Sequence, residues 1–119
     1  MDALTGRARQ FNVTTEVTPG RMTARLEGEL DIATADTLAT ALDGLNVKAG
    51  DQLVVDMREV EFMDSTGLRV LITANRHAIS NKHRLILVTG DSPAERVLRL
   101  TRMDDHLEVV AKIEDLPAI

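Results

Sequence analysis

Ser65 and Thr66 are the residues best placed to do chemistry in this chain. They are two adjacent hydroxyls inside Met63-Asp64-Ser65-Thr66-Gly67-Leu68. A hydroxyl at the start of a helix can carry an anionic group at little cost, because free backbone N–H groups and the helix dipole both favour negative charge there. Asp64 is the expected N-cap, accepting from a first-turn N–H. Met63 before it and Leu68 at the fourth helical position have the spacing of a hydrophobic staple. Arg69 lies four residues after Ser65 on the same helical face, where it is either a surface cation or a partner for a phosphate on Ser65. Asp31, Asp56 and Asp64 are the remaining candidates, as a carboxylate set for Mg²⁺ or as groups that position the switch.

The elements around these residues follow from periodicity. Leu53-Val54-Val55-Asp56 is an apolar run closed by an acid and reads as a central strand covered on both sides. A loop is expected from Met57 to Met63. The helix after it should run from about Ser65 to Ser80, with Leu68, Leu71, Ile72 and Ile79 on one side. Upstream, Phe11, Val13, Thr15 and Val17 alternate with polar residues, as do Met22, Ala24 and Leu26. Thr18-Pro19-Gly20-Arg21 between them has the composition of a type II turn, so the chain opens with an antiparallel hairpin. Residues 1–9 are expected to be a frayed lead-in.

Gly28 to Asp31 closes the second strand, and Thr34 to Leu45 places Ala35, Leu38, Leu42 and Leu45 on one helical face. Leu85 to Val88 is another buried strand. Ser92-Pro93-Ala94-Glu95 combines an N-cap serine, proline at the first helical position and glutamate three residues on, a predicted capping box. That helix should reach about Arg102. Leu107 to Val110 is a last short strand, and Ile113 to Leu116 a final helical turn before Pro117. The order β-β-α-β-α-β-α-β predicts an α/β domain with a small mixed sheet and helices packed against it.

Bulk properties narrow the function. The chain has 119 residues and should form one domain, burying roughly two thirds of its unfolded surface. It has no cysteine, which excludes disulfides and thiolate metal sites. No apolar run approaches the roughly 20 residues of a bilayer span, and the first residues lack the order of a signal peptide. A soluble cytoplasmic protein with no membrane partner is expected. The net charge is −5 and the only aromatics are Phe11 and Phe62, so direct nucleic-acid binding is not expected. His77, His83 and His106 lack ligand spacing and are expected at the surface. No Ser-His-Asp order or glycine-rich phosphate loop is present, so no enzyme and no cofactor is implied.

The motifs carry a resemblance. Val60 to Leu68 resembles the switch loop of anti-sigma factor antagonists, the bacterial members of the STAS domain family. Gly28-Glu29-Leu30-Asp31 is similar to the same family's early G-E-L-D motif, and Leu53 to Asp56 to its central strand. The likeness spans Phe11 to about Leu116, which would make residues 1–119 a single STAS domain with its core at about 11–116. It implies a non-enzymatic partner-switching protein of stress-response or sporulation type. The unphosphorylated form would bind an anti-sigma factor and free a sigma factor. That anti-sigma factor would be a serine kinase that brings Mg-ATP and phosphorylates Ser65, and a serine phosphatase would reset the switch. Asp31, Asp56, Asp64, Thr66, Gly67 and Arg69 would belong to the switch or partner surface. Arg69 departs from the commonest pattern, in which a small residue follows Gly-Leu. Two alternatives stand beside this. One is a STAS docking subunit of a larger assembly, such as a stressosome or a lipid-transport complex. The other is a receiver-like domain phosphorylated on Asp56 with Thr89 as its partner, although the acidic pair of receivers is absent.

Overall fold

A computed structural model describes residues 10–119; the expected lead-in at residues 1–9 lies outside the described residues. Strand β1 (Phe11–Thr18) turns back into β2 (Arg21–Leu30). Gly20, at φ +79°, supplies the left-handed position that a type II turn requires. Helix α1 (Ala35–Asp43), β3 (Gln52–Met63), α2 (Ser65–Ser80), β4 (Arg84–Val88), α3 (Pro93–Leu100) and β5 (Glu108–Val110) follow, with short 3₁₀ turns at Met103–Asp105 and Ile113–Asp115.

The strands form one sheet in the order β1-β2-β3-β4-β5. β1 pairs antiparallel with β2, and every other neighbouring pair is parallel. Parallel neighbours that advance steadily across a sheet through right-handed crossovers place their helices on the same face. A single core accordingly joins Leu38 and Leu42 of α1, Leu68, Leu71 and Ala78 of α2, and Ala94 and Leu98 of α3 to Leu53, Val55 and Met57 of β3 and Leu85 and Leu87 of β4. Val54, Ile86 and Val88 have the opposite parity and are also fully buried, so both faces of the central strands are covered.

Three local expectations are corrected. Met57 to Met63 is not a loop. β3 continues through it to Met63, pairing with β2 as far as Leu30↔Met63. Register shifts between Arg25 and Glu27 and between Gly28 and Glu29 break the two-residue rhythm, so Met57, Val60 and Met63 are buried at a spacing of three. That spacing hides a strand from a period-two reading.

Ile79 is exposed. Successive helical residues advance by about 100°, and the buried stripe of α2 runs through Gly67, Leu68, Leu71 and Ala78. That stripe is centred near Leu71, which leaves Ile72 and Ile79 on its shoulder, and at the last turn nothing covers it. The capping box at α3 is also unmade. Pro93 does occupy the first turn, but Ser92 makes no side-chain cap bond and its buried Oγ finds no partner among the described residues. The Glu95 carboxylate instead accepts from Arg99 Nε at 3.2 Å, one turn along.

The G-E-L-D glycine has a steric reason. Gly28 sits at φ +100°, and a Cβ there would lie 1.9 Å from the carbonyl oxygen of Gln10, the residue whose carbonyl accepts from Glu29 N–H. Only glycine lets the chain entering β1 close over β2 at this point.

Candidate functional site

The end of β2, the end of β3 and the start of α2 meet at one corner of the sheet. Asp64 N–H donates to the Leu30 carbonyl at 3.2 Å, tying the start of α2 to the strand beside it. Asp64 is the N-cap: its Oδ1 accepts from Thr66 N–H at 2.9 Å and Gly67 N–H at 3.2 Å. Met63 and Leu68 flank it and are both buried in the common core, as a staple requires. Gly67 is buried, and a Cβ on it would meet Leu30 Cγ at 2.6 Å and the Leu30 carbonyl oxygen at 3.0 Å. Its role is close approach: it lets α2 seat directly on the end of β2, and so fixes where Ser65 points.

The two hydroxyls are not equivalent. Ser65, at the first position of α2, is exposed. Thr66 is half-buried and turned into a groove between α1 and α2 of about 280 Å³, which Arg69, Val70 and Thr73 also line. The 100° step between neighbouring helical residues accounts for this division. Arg69 is exposed and makes no hydrogen bond or ion pair among the described residues. It sits on the same wall as Thr66, one turn from Ser65.

Asp31 follows the end of β2 at the same corner but is buried. Its Oδ1 accepts from Ala33 N–H at 2.9 Å, and its N–H donates to Thr34 Oγ1 at 3.0 Å. Thr34 Oγ1 in turn donates to the Glu29 carbonyl at 2.7 Å. Asp31 therefore builds the turn from β2 into α1 and stands behind the surface.

Asp56 does not join the site. It lies between Val55 and Met57, which face the helix-covered core, so its own side chain points to the opposite face. It is also seven residues before Met63, roughly 20 Å along the strand. There it is 2 % exposed and held by Arg58, whose Nε and Nη2 donate to its two oxygens at 2.9 and 2.8 Å. Arg25, opposite it on β2, approaches to 3.7 Å. Burial alone would raise the pKa of this carboxyl; the hydrogen bonds and charge of Arg58, with help from Arg25, outweigh it and hold the pKa below the ordinary value. Both oxygens are engaged, so the arrangement does not offer the open phosphoacceptor of a receiver. The three aspartates do not form a Mg²⁺ set either, and no group of ligands suited to a metal occurs among the described residues.

Of the histidines, His77 and His106 are exposed as expected, whereas His83 is half-buried, with Nδ1 lacking a partner among the described residues and burial lowering its pKa. Sequence reasoning missed Ile32 and Phe62, which are exposed at the switch corner. No signal in the sequence marks Phe62, because the strand that turns it away from Met63 is itself hidden from a period-two reading.

A mixed sheet with an antiparallel opening hairpin, its helices on one face and an exposed serine at a capped helix start, defines a small α/β domain. The chain belongs to the STAS domain family, whose model matches residues 12–116. It is 34% identical over 82 residues to the anti-sigma-B factor antagonist of Listeria monocytogenes, covering 69% of this chain and 72% of that protein. It is 28% identical over 88 residues to the anti-sigma-F factor antagonist RsfB of Mycobacterium tuberculosis, covering 74% and 71%. Among solved structures, an anti-sigma factor antagonist from Mycobacterium paratuberculosis superposes with a TM-score of 0.80 at 24% identity, covering 89% of this chain and 90% of that one. These relatives are named as antagonists of protein factors.

Proposed function

We propose that this protein is an anti-sigma factor antagonist switched by phosphorylation of Ser65. The unphosphorylated chain binds an anti-sigma factor and so releases a sigma factor. The anti-sigma factor is itself a serine kinase that supplies Mg-ATP, and a serine phosphatase restores the binding form. Direct contact with nucleic acid has no part in this, since no block of Lys and Arg is present in the sequence. No helix among the described residues is long and apolar enough to cross a membrane.

The observation that carries the proposal is the placement of Ser65: exposed, first in α2, with the helix capped by the neighbouring Asp64 rather than by the serine itself. A phosphate adds about −1.5 to −2 charge at neutral pH. On the free protein it meets solvent and a favourable helix N-terminus. In a tight interface the same group must shed water beside the Asp64 carboxylate, with which it repels. Binding is lost while the fold persists.

The test uses purified protein with the kinase-type anti-sigma factors encoded in the same genome. One of them should bind with ADP, and with ATP should label Ser65 and let go. Ser65→Ala should stay bound in ATP, and Ser65→Asp should bind weakly. Labelling confined to Thr66, or release of Ser65→Ala by ATP, would overturn the proposal.

A further inference from the structure

Two large apolar side chains stand in solvent at the switch corner. Ile32, in the turn between β2 and α1, is 80% exposed, and Phe62, one residue before the end of β3, is 47% exposed. Both lie within two residues of the Leu30↔Met63 pair on which the backbone of Asp64 is anchored, so they share one end of the sheet with Ser65. Neither contributes to the common core. Phe62 is one of only two aromatic residues in the chain. Aromatic side chains are enriched at interface centres, and the fully buried part of an interface is more apolar than its rim.

The chain segments that carry them are acidic, and Arg69, exposed one turn beyond Ser65, lines the groove between α1 and α2. The segments 26–37 and 59–68 contain seven acids and no Lys or Arg. Glu27, Asp36, Glu59 and Glu61 are exposed among them. The nearest preceding cations, Arg25 and Arg58, are drawn to Asp56, six residues before Phe62 along β3. An apolar pair bordered by acids fits a surface of inverse pattern.

We infer that Ile32 and Phe62 are the apolar anchors of the docking surface around Ser65, and that they enter an apolar socket bordered by Lys and Arg on a partner protein. This rests on the reading given above, in which that partner is the anti-sigma factor. The anchors hold the dry centre of the interface and govern dissociation; the acids lie at its border and govern the rate of encounter. A phosphate on Ser65 falls in the dry centre, not at the basic border, which is why added negative charge releases a partner that the acids attract.

The inference is tested by binding kinetics with whichever kinase-type anti-sigma factor the native protein binds in ADP. Ile32→Ser and Phe62→Ser should each weaken binding at least ten-fold, through faster dissociation, with melting temperature unchanged. Leu100→Ser, at an exposed apolar position on α3, should bind as the native protein does. Glu27→Gln with Glu61→Gln should slow association several-fold and flatten its salt dependence. Affinities of the Ile32 and Phe62 variants within two-fold of native would overturn the anchor assignment. Association indifferent to salt would overturn the basic border. Native protein that binds none of these factors fails the underlying reading, and the inference with it.

Discussion

Replacing Asp64 separates the two things its carboxylate does. It accepts from Thr66 and Gly67 N–H through one oxygen, and it places a negative charge at the start of a sixteen-residue helix. Loss of an N-cap acceptor costs about 0.5–2 kcal/mol, typically about 1. The charge at the helix N-terminus contributes about 0.3–1 kcal/mol. Asp64→Ala removes both and should destabilise by about 1–2 kcal/mol. Asp64→Asn keeps an acceptor oxygen and should lose only the smaller part. For a domain of this length each kcal/mol corresponds to about 4 °C in melting temperature. Thermal and urea melts should therefore rank native above Asp64→Asn above Asp64→Ala, with the urea m-value unchanged.

The same series reports on the switch. Phosphate on Ser65 gains about 0.3–1 kcal/mol from the helix N-terminus. Against it stands repulsion from Asp64, on the order of 1 kcal/mol for charges about 6 Å apart in water. Phosphorylated and unphosphorylated native protein should melt within a degree or two of each other. In Asp64→Asn the repulsion is gone, so phosphorylation should raise the melting temperature by about 1–4 °C. Asp64→Ala that melts with the native protein would refute the capping assignment. A large fall in native stability on phosphorylation would mean that the switch acts by unfolding.

Three further outcomes follow from particular contacts. Ser92→Ala removes a buried hydroxyl without a partner among the described residues, so urea melts should show a change within about 0.5 kcal/mol instead of the roughly 1 kcal/mol loss expected of a working cap. The lowered pKa of Asp56 contributes stability that is present above its unfolded value of 3.8 and is lost as pH falls through its lower folded value; Asp56→Asn should be less stable than native at pH 7, with the gap closing below pH 3.8 in acid melts. Arg69 has no competing ion pair among the described residues and stands one turn from Ser65. Arg69→Ala should raise the second pKa of the phosphoserine by a few tenths at low salt, read by phosphorus NMR, and curves that coincide would leave Arg69 to the groove alone.

What could be read from the chain was what depends on neighbours in sequence. The hairpin turn needs glycine at its left-handed position and has Gly20 there. The cap at Asp64 needs only an acceptor two or three residues before free N–H groups, and the sequence supplies it. Continuous apolar runs marked the central strands, and the alternation of strand and helix prescribed parallel pairing and a mixed sheet. The strand-to-helix corner that presents Ser65 is assembled largely from such local rules.

What the chain could not disclose depended on which surfaces meet. β3 runs beyond Asp56 because β2 is long enough to pair with it, and the register shifts in that pairing erase the alternation that would have announced a strand. Asp56, close to Ser65 in sequence, is removed to the other face of the sheet because side chains alternate along an extended chain. Ile79 has the spacing of a core residue but lies at the end of α2, where no neighbour covers it. Ser92 has the spacing of a cap, yet its partner Glu95 is held by Arg99. Gly67 reads as part of a motif, and only the Leu30 side chain behind it shows that the position must be empty. Sequence determined the local geometry that makes a serine available; the packing of β2, β3 and α2 decided which residues stand beside it, because contact across the fold is set by register and helix phase, which no short window of residues records.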